Sequence, residues 1–387
     1  MLTQPRRYQL KKSAAAVLYR GQPWIFRDHL SSAAATFADG QWLRLFDGNN
    51  TVVGYGMYQA LGAIAIRVMR RGTLAPTAQW IRSMVDTAAL RRAPLRTTTN
   101  AIRWISGESD GLPAVVVEQF ADIVVAQSYS RGADVLTRIA ARAVQQHVKA
   151  RDVLWRPARR RVDVAHDNPS SAAANPTTKL VHFSDAGIPF VADIGSGQKT
   201  GTYLDLRGLR HAITAMALAG QRVLNLFAYS GMLARCAERA GAKLIVNVDS
   251  SATALAFARQ HHCDDVAKQE FITADIFQWL YQHHDTYDLV IVDPPAMTSR
   301  REQVPGVLAT YRRMYQHART LVSPNGTVVA ACCTGRITRA EFTATVTAAL
   351  GSEFALTTTL APEPDHPVSF DQADYLKILL FRRVALA

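Results

Sequence analysis

From about residue 191 onward the chain alternates short, unbroken apolar runs with stretches of helical period, and this constrains its fold more than any other feature. Arg222-Val-Leu-Asn-Leu-Phe227 reads as a strand, with Met232 to Ala240 as the helix after it. Lys243-Leu-Ile-Val-Asn-Val-Asp249 and Ala252 to His261 repeat the pair. Asp288-Leu-Val-Ile-Val-Asp293 is another strand with a helix behind it, and Thr327-Val-Val-Ala-Ala-Cys332 is a further strand. A strand that is apolar on both sides must be covered on both sides. Strands separated by helices return in parallel, so the pattern predicts an α/β domain with a parallel, doubly covered sheet. Ligands of such sheets bind off the carboxyl ends of the strands, near the point where strand order reverses. The residues that close each run are therefore the candidate site.

The preceding sequence has a different texture. Residues 1–72 read as short strands with turns between them: Gln41 to Phe46, a turn at Asp47-Gly-Asn-Asn50, Thr51 to Met57, then Ala63 to Val68. A small β-barrel fits that pattern. Residues 73–190 mix a helix over Thr77 to Leu90, strands at Ala101 to Ile105, Ala114 to Glu118 and Asp122 to Ala126, and a helix over Ala133 to Val148, as in an α+β domain. Asp163 to Lys179, rich in Ser, Ala, Asn and Pro, reads as the surface loop of a hairpin. The third region, 191–387, is the doubly covered sheet. A chain of 387 residues suits two or three such domains. It has no apolar run of the roughly 20 residues a membrane span needs. Ala14 to Tyr19 is too short for a secretory core, so a cytoplasmic protein is expected. The four cysteines form no CxxC pair, which points to reduced thiols and no metal. The net charge of +13 and pI of about 9.8 favour a polyanionic partner, with nucleic acid ahead of an anionic membrane.

The strand ends carry the chemistry. The first run closes in Asn225-Leu-Phe-Ala-Tyr-Ser-Gly231. It lacks the GxGxxG that clamps a pyrophosphate, and it places Phe227, Ala228 and Tyr229 where that clamp needs bare backbone. S-adenosylmethionine has no phosphate and tolerates a bulkier loop. Asp249 closes the second run and can accept hydrogen bonds from both ribose hydroxyls, or it can serve as a helix cap ahead of Ser250 and Ser251. Asp275 follows a third short strand and suits an adenine amino group, or again a cap. Asp293-Pro294-Pro295 ends the fourth run. Two prolines remove two backbone donors and fix the chain, which holds the Asp293 carboxylate at the strand end. Cys332-Cys333-Thr334-Gly335 ends the next run at the same edge. Cys332 reads as a small buried hydrophobe, and Cys333 as a nucleophile. Carbon-5 of a pyrimidine is too poor a nucleophile to take a methyl group unaided, and a thiolate adding at carbon-6 makes it one.

With these residues in view, nearly the whole chain resembles the bacterial 23S ribosomal RNA cytosine-C5 methyltransferases that begin with a PUA domain. Gly21-Gln-Pro-Trp-Ile-Phe26 is similar to their HPWIF-like turn, and Glu108-Ser-Asp-Gly-Leu-Pro113 to their ESDGLPG segment. Gly197-Gln-Lys-Thr-Gly-Thr-Tyr-Leu-Asp-Leu-Arg207 is similar to GxKTGxYLDQR, and Asp365-His-Pro-Val368 and Tyr375-Leu-Lys377 match near the end. The resemblance implies a PUA-like domain over 1–72, a central α+β domain over 73–190, and a Rossmann-like class I methyltransferase domain over 191–387 using S-adenosylmethionine. It implies that Lys199, Thr200, Gly201, Tyr203, Asp205 and Arg207 pack against the cofactor. Phe227, Tyr229, Gly231, Asp249, Ser250, Asp275, Ile276, Asp293 and Pro294 join them, and Cys333 takes the place of the family's cysteine in an S-C-S-G-like segment.

The resemblance further implies ribosomal RNA as partner, with homodimerisation left open. Arg67, Arg70, Arg71, Arg156, Arg159 and Arg160 are the expected RNA contacts. Asp293 is the expected base for the carbon-5 proton, with Asp365 or His366 behind it. Two departures fall near the expected substrate side. Ala296-Met297 replaces the family's Lys-Phe after DPP, and Tyr311-Arg-Arg-Met-Tyr315 replaces Tyr-Lys-Asp-x-Asn. They leave three alternatives to carbon-5 of cytosine open: an exocyclic amine, carbon-5 of uracil, or an RNA-binding assembly factor with impaired catalysis.

Overall fold

The computed structural model describes residues 4–31, 37–156 and 179–384. The chain forms two compact units, one of residues 1–204 with 364–370, the other of residues 205–363 with 371–387.

The first unit opens with β1 (Arg6–Gln9), α1 (Lys12–Tyr19), β2 (Trp24–Phe26), β3 (Trp42–Phe46), β4 (Val52–Tyr58) and β5 (Ile64–Arg71). The strands form one sheet in the order β1-β3-β4-β5-β2, in which only β1 and β3 run parallel. The run Ala14 to Tyr19, set aside above as a failed secretory core, is most of α1. Its Ala14, Ala15 and Leu18 lie in the core with Tyr8, Ile25, Leu43, Leu45 and Ile66. Next come α2 (Ala78–Arg92), β6 (Ala101–Ser106), β7 (Val115–Phe120), β8 (Ile123–Ser128), α3 (Asp134–Val148) and β9 (Asp152–Arg156), and β6-β7-β8-β9 form a second sheet. Its core of Ile81, Val85, Trp104, Val117, Leu136 and Val144 also takes in Trp42, Met57 and Met69. β10 (Leu180–Asp185) and β11 (Ile188–Asp193) are an antiparallel hairpin. The segment 163–179 was expected to join the two arms of a hairpin, and most of it lies outside the described residues. The strands on either side of it, β9 and β10, belong to different sheets, because β9 pairs in parallel with β8.

Two buried carboxylates, Asp110 and Asp365, and the partly buried Glu108 brace this unit. Glu108 accepts from the Trp24 indole at 2.7 Å and pairs with Arg67. Asp110 accepts from both Arg92 terminal nitrogens, at 2.6 and 3.1 Å, and from the Ser106 amide at 2.6 Å. Asp365 accepts from the Arg103 amide at 3.0 Å and from the His366 ring at 2.9 Å, while its carbonyl accepts from Arg92 at 3.2 Å. These contacts account for the Glu108-to-Pro113 and Asp365-to-Val368 segments as struts of the first unit.

The second unit carries α4 (Arg207–Thr214), β12 (Arg222–Leu226), α5 (Met232–Arg239), β13 (Leu244–Asp249), α6 (Ala252–His261), β14 (Gln269–Thr273), α7 (Ile276–Gln282), β15 (Tyr287–Val292), α8 (Val304–Ala318), β16 (Val322–Cys332), α9 (Arg339–Leu350), β17 (Phe354–Thr359) and β18 (Lys377–Arg383). Its sheet runs β14-β13-β12-β15-β16-β18-β17. The first five strands are parallel, as the apolar runs predict. β18 enters antiparallel to both its neighbours, so the sheet is mixed rather than wholly parallel. One face packs Leu224, Leu226, Val246, Val248, Val290 and Val292 against Tyr311, Met314, Tyr315, Phe342 and Val346 of α8 and α9. Each such side chain, fully buried, contributes roughly 1.5–3 kcal/mol.

Removing one member of a buried ion pair leaves the other uncompensated, at about 3–5 kcal/mol. Asp110→Ala is expected to lower the stability of the first unit by about that amount in chemical unfolding, whereas Arg313→Ala, on the exposed face of α8, changes it by less than about 0.5 kcal/mol.

Candidate active site at the carboxyl edge of the sheet

Chain order reverses between β12 and β15: β13 and β14 extend the sheet one way, β15 and β16 the other. The loop after β12 and the residues after β15 thus flank the switch point, where Leu226 pairs with Val292.

The loop from Phe227 to Gly231 is held in an unusual form. Phe227 (φ 60°), Tyr229 (φ 46°) and Gly231 (φ 75°) all have left-handed backbone. For the two non-glycine residues this costs of order 1–3 kcal/mol each and persists only where the surroundings over-determine it. Asp249, at the tip of β13, supplies part of that constraint. Its Oδ2 accepts from the Tyr229 amide at 2.8 Å and its Oδ1 from the Ser251 amide at 2.8 Å. The helix cap of α6 is Ser251, which accepts from the Ala254 amide at 3.2 Å, so Asp249 is a strand-tip acceptor and not the cap. Gly231 has no room for a side chain, since a Cβ there would lie 2.7 Å from that of Ala258. Beneath the loop, buried His262 bonds through Nδ1 to the Ser230 carbonyl, and burial lowers its pKa to about 3. The ring is therefore neutral and its Nδ1–H donates.

Asp275 follows β14 and caps α7, accepting from the Gln278 amide at 3.0 Å, with Ile276 buried behind it. Ser250 is exposed. Asp293 follows β15 directly. The Cys333 thiol, after β16, lies 3.5 Å from the Pro294 carbonyl, and the Met297 amide donates to the Thr334 hydroxyl at 3.2 Å. The tips of β15 and β16 are thus stitched together, with Asp293 and Cys333 on adjacent strands. Neighbouring strands are about 4.8 Å apart, which places Asp249 two strands from Asp293 along the same edge. All four cysteines are free thiols; Cys332 is wholly buried and Cys333 half-buried.

The Gly197-to-Arg207 segment divides. Lys199, Thr200, Gly201 and Tyr203 belong to the first unit, Asp205 and Arg207 to the second. Lys199 (φ 52°) stacks its ammonium 4.1 Å from the Tyr203 ring centre. The Thr200 hydroxyl is buried and has no hydrogen-bond partner among the described residues. Gly201 (φ 144°) abuts Ile194, with space for no Cβ. Asp205 accepts from the Tyr375 hydroxyl at 2.6 Å, and Arg207 reaches Glu363 at 3.4 Å. Both are built into the second unit.

The arginines expected to meet RNA divide as well. Arg67 is spent on Glu108 and on Gln59 at 2.9 Å, with little of its side chain exposed. Arg156 donates to the carbonyls of Ile194, Gly195 and Lys199 and so clamps that loop. These two are structural. Arg70 and Arg71 each donate to one carbonyl, Ala75 and Gly21 respectively, and stay partly or largely exposed. Arg159 and Arg160 lie outside the described residues. The departure at Arg313 faces solvent on α8 and does not line the strand tips. Tyr311 and Tyr315 are fully buried behind Cys332, and burial pushes both hydroxyls far above their ordinary range, so they stay neutral. Glu363 and Tyr375, which hold Arg207 and Asp205, were missed as supports, because nothing in a local pattern says which distant turn a lone polar side chain will reach.

Among the described residues no three His, Cys, Asp or Glu side chains group as a metal would require, and no helix is long and apolar enough to cross a membrane.

Residues 115–382, well over half of the chain, match the family of S-adenosylmethionine-dependent methyltransferases. The chain belongs to that family. Residues 9–71 match the PUA-like domain. Curated relatives include a ribosomal RNA large subunit methyltransferase of Deinococcus radiodurans, 29% identical over 97% of both chains. Another is ribosomal RNA large subunit methyltransferase I of Aeromonas salmonicida, 28% identical over 96% of this chain and 98% of that one. Among solved structures, a SAM-dependent methyltransferase from Streptococcus mutans superposes with a TM-score of 0.80 at 20% identity, covering 97% of this chain and 100% of that one. A further methyltransferase structure, complexed with SAH, superposes with a TM-score of 0.82 at 19% identity over the same shares. These likenesses establish a PUA-like N-terminal domain and a Rossmann-like methyltransferase fold.

Two outcomes are expected of this edge. Asp249→Asn weakens S-adenosylmethionine binding, measured by calorimetry, by at least about tenfold, equivalent to about 1.4 kcal/mol. His262 shapes the acid response. Its folded pKa lies below the ordinary 6.5, so its stabilising share is present above that value and is lost as pH falls from 6.5 toward 3, at up to about 1.4 kcal/mol per pH unit. Urea unfolding of His262→Gln is expected to show a correspondingly flatter acid limb.

Proposed function

We propose that this methyltransferase forms 5-methylcytosine in 23S ribosomal RNA, with Cys333 as nucleophile and Asp293 as the base for the carbon-5 proton. The observation that carries the reading is the half-buried Cys333 thiol 3.5 Å from the carbonyl of Pro294, on the strand tip next to Asp293. The names of the relatives point to large-subunit ribosomal RNA, and the net charge of +13 suits a polyanion.

The strand tips fit S-adenosylmethionine. The Phe227-to-Gly231 loop offers close backbone without a pyrophosphate clamp, and Asp249, held at the next tip by the Tyr229 amide, would accept from the ribose hydroxyls. Phe227, Tyr229, Gly231, Asp249, Ser250, Ile276, Asp293 and Pro294 would hold it, with Asp275 at the rim. Asp205 and Arg207 serve as supports within the second unit. When bound, S-adenosylmethionine supplies an electrophilic methyl group. The Cys333 thiol, having lost its proton to solvent, would add to carbon-6 of the cytosine, forming a sulfur–carbon bond and making carbon-5 electron-rich enough to take the methyl as the methyl's bond to the sulfonium breaks and the neutral thioether leaves. Asp293 then takes the carbon-5 proton. The electron pair left behind restores the ring double bond as the sulfur–carbon bond breaks, which returns the thiolate.

In the same reading, residues 1–72 and 73–190 grip the RNA, with Arg70, Arg71, Arg159 and Arg160 on phosphates. Residues 191–387 perform the transfer on a base drawn out of its stack.

The test combines nucleoside mass spectrometry of ribosomal RNA, with and without the gene, with 5-fluorocytosine RNA as a trap. Loss of one 5-methylcytosine and a covalent adduct that Cys333→Ala abolishes are expected, with cofactor binding intact in that variant. Continued methyl transfer by Cys333→Ala, with loss in Asp293→Ala, would reassign the reaction to an exocyclic amine. A missing 5-methyluridine would reassign it to uracil, and no missing methyl group at all would leave an assembly factor.

A further inference from the structure

The Tyr375-Leu-Lys377 segment is left unexplained by the steps above, and Lys377 is the least expected residue in the second unit. It opens β18 opposite Cys332, and its side chain is wholly buried. Its ammonium donates to the carbonyls of Thr334 and Tyr375, each at 3.1 Å. Among the described residues it pairs with no carboxylate within 4.0 Å. A buried cation without an ionic partner costs several kcal/mol relative to an apolar side chain of similar size, so packing alone is a poor reason for a lysine here.

Several charged or ionisable groups surround it. Burial, the largest influence, opposes its charge, whereas the sulfur of Cys332, then Asp374 and last the sulfur of Cys333 favour it. Arg339, at the start of α9, opposes it but is paired with Asp374 at 2.6 Å. Burial pulls the ammonium down from its usual range. Tyr311 and Tyr315, which pack with Cys332, stay neutral. Of the two sulfurs, that of Cys332 is buried and that of Cys333 half-buried.

We propose that Lys377 is a positioning residue for Cys333: its two hydrogen bonds fix the turn that carries the thiol, and its charge stabilises the thiolate. This deepens the reading of Cys333 as nucleophile and rests on it. Lys377 acts through Cys333 and does not touch the base.

The test is the pH dependence of Cys333 alkylation by iodoacetamide, followed by peptide mass spectrometry on the full-length protein. In the wild type, Cys333 is expected to alkylate with a midpoint below the ordinary thiol value of about 8.5. Lys377→Met is expected to move that midpoint upward by about one pH unit or more and to slow methyl transfer at least tenfold, with S-adenosylmethionine affinity unchanged. Lys377→Arg, which keeps the charge, is expected to restore most of the shift. An unmoved midpoint in Lys377→Met would reduce the lysine to a structural clamp and overturn the proposal. If that variant fails to fold, the wild-type profile decides alone, since a Cys333 that titrates like a free thiol overturns it too. Activity surviving in Cys333→Ala would instead sink the reaction assigned above and leave the alkylation result to judge the electrostatic coupling separately.

Discussion

Five strands can pair in parallel only if each is followed by a connection that carries the chain back, here a helix, and the site of the second unit follows from that constraint. Parallel pairing sends the carboxyl ends of β14, β13, β12, β15 and β16 to one edge. There, residues far apart in sequence, at 249, 293 and 333, arrive within a few strand spacings of one another. The reversal of order between β12 and β15 opens the sheet at that edge, so the chemistry has a place before any particular side chain is chosen. The antiparallel β18 does not disturb this. It closes the far side of β16 and brings Lys377 against the cysteine turn.

The edge is shaped mainly by backbone under constraint. Left-handed conformations at Phe227 and Tyr229 are costly, and the Asp249 carboxylate offsets part of that cost by accepting the Tyr229 amide. One side chain thereby couples the tips of β12 and β13. The contact between Cys333 and Pro294 and the bond from the Met297 amide to Thr334 do the same for β15 and β16. Prolines at 294 and 295 make the second coupling rigid, for they leave the chain few other conformations. A transfer reaction that depends on reacting atoms meeting at a set distance benefits from an edge whose tips are tied in pairs.

Much of this was legible in the sequence because periodicity is local. The five parallel strands, the helices between them, α2 and α3 all follow from spacing that a window of a dozen residues contains. The placement of Asp249, Asp293 and Cys333 on one edge follows from the strand pattern alone. What the sequence hid is non-local. Nothing near Ala14 says that α1 will pack under a five-stranded sheet, because Ala-rich runs gain their stability from what they meet. The reversed direction of β18 cannot be read from its apolar run, which is equally apt for a parallel strand. Asp275 carried two physical readings, and the structure shows it as a cap because the Gln278 amide lies within reach of its carboxylate. Arg67 and Arg156 looked like part of a basic surface. Charge counts do not reveal that Glu108 and a set of loop carbonyls absorb their donors.

That last error separates two kinds of motif. Glu108, Asp110, Asp365, Asp205 and Arg207 all fall in segments that match a family pattern closely, and each is committed to another side chain or backbone group of its own unit. A buried charge is tolerated only where its partners are fixed, so a segment built round one changes little even when it touches no substrate. Close resemblance in such segments therefore reports shared architecture. The residues left to report chemistry have a different signature, a polar group at a strand tip with part of its surface still open, and Asp249, Asp293 and Cys333 have it. Lys377 has neither signature in full: it is buried like a strut, yet no carboxylate lies within 4.0 Å of its ammonium among the described residues, and the groups that favour its charge include the half-buried Cys333 sulfur.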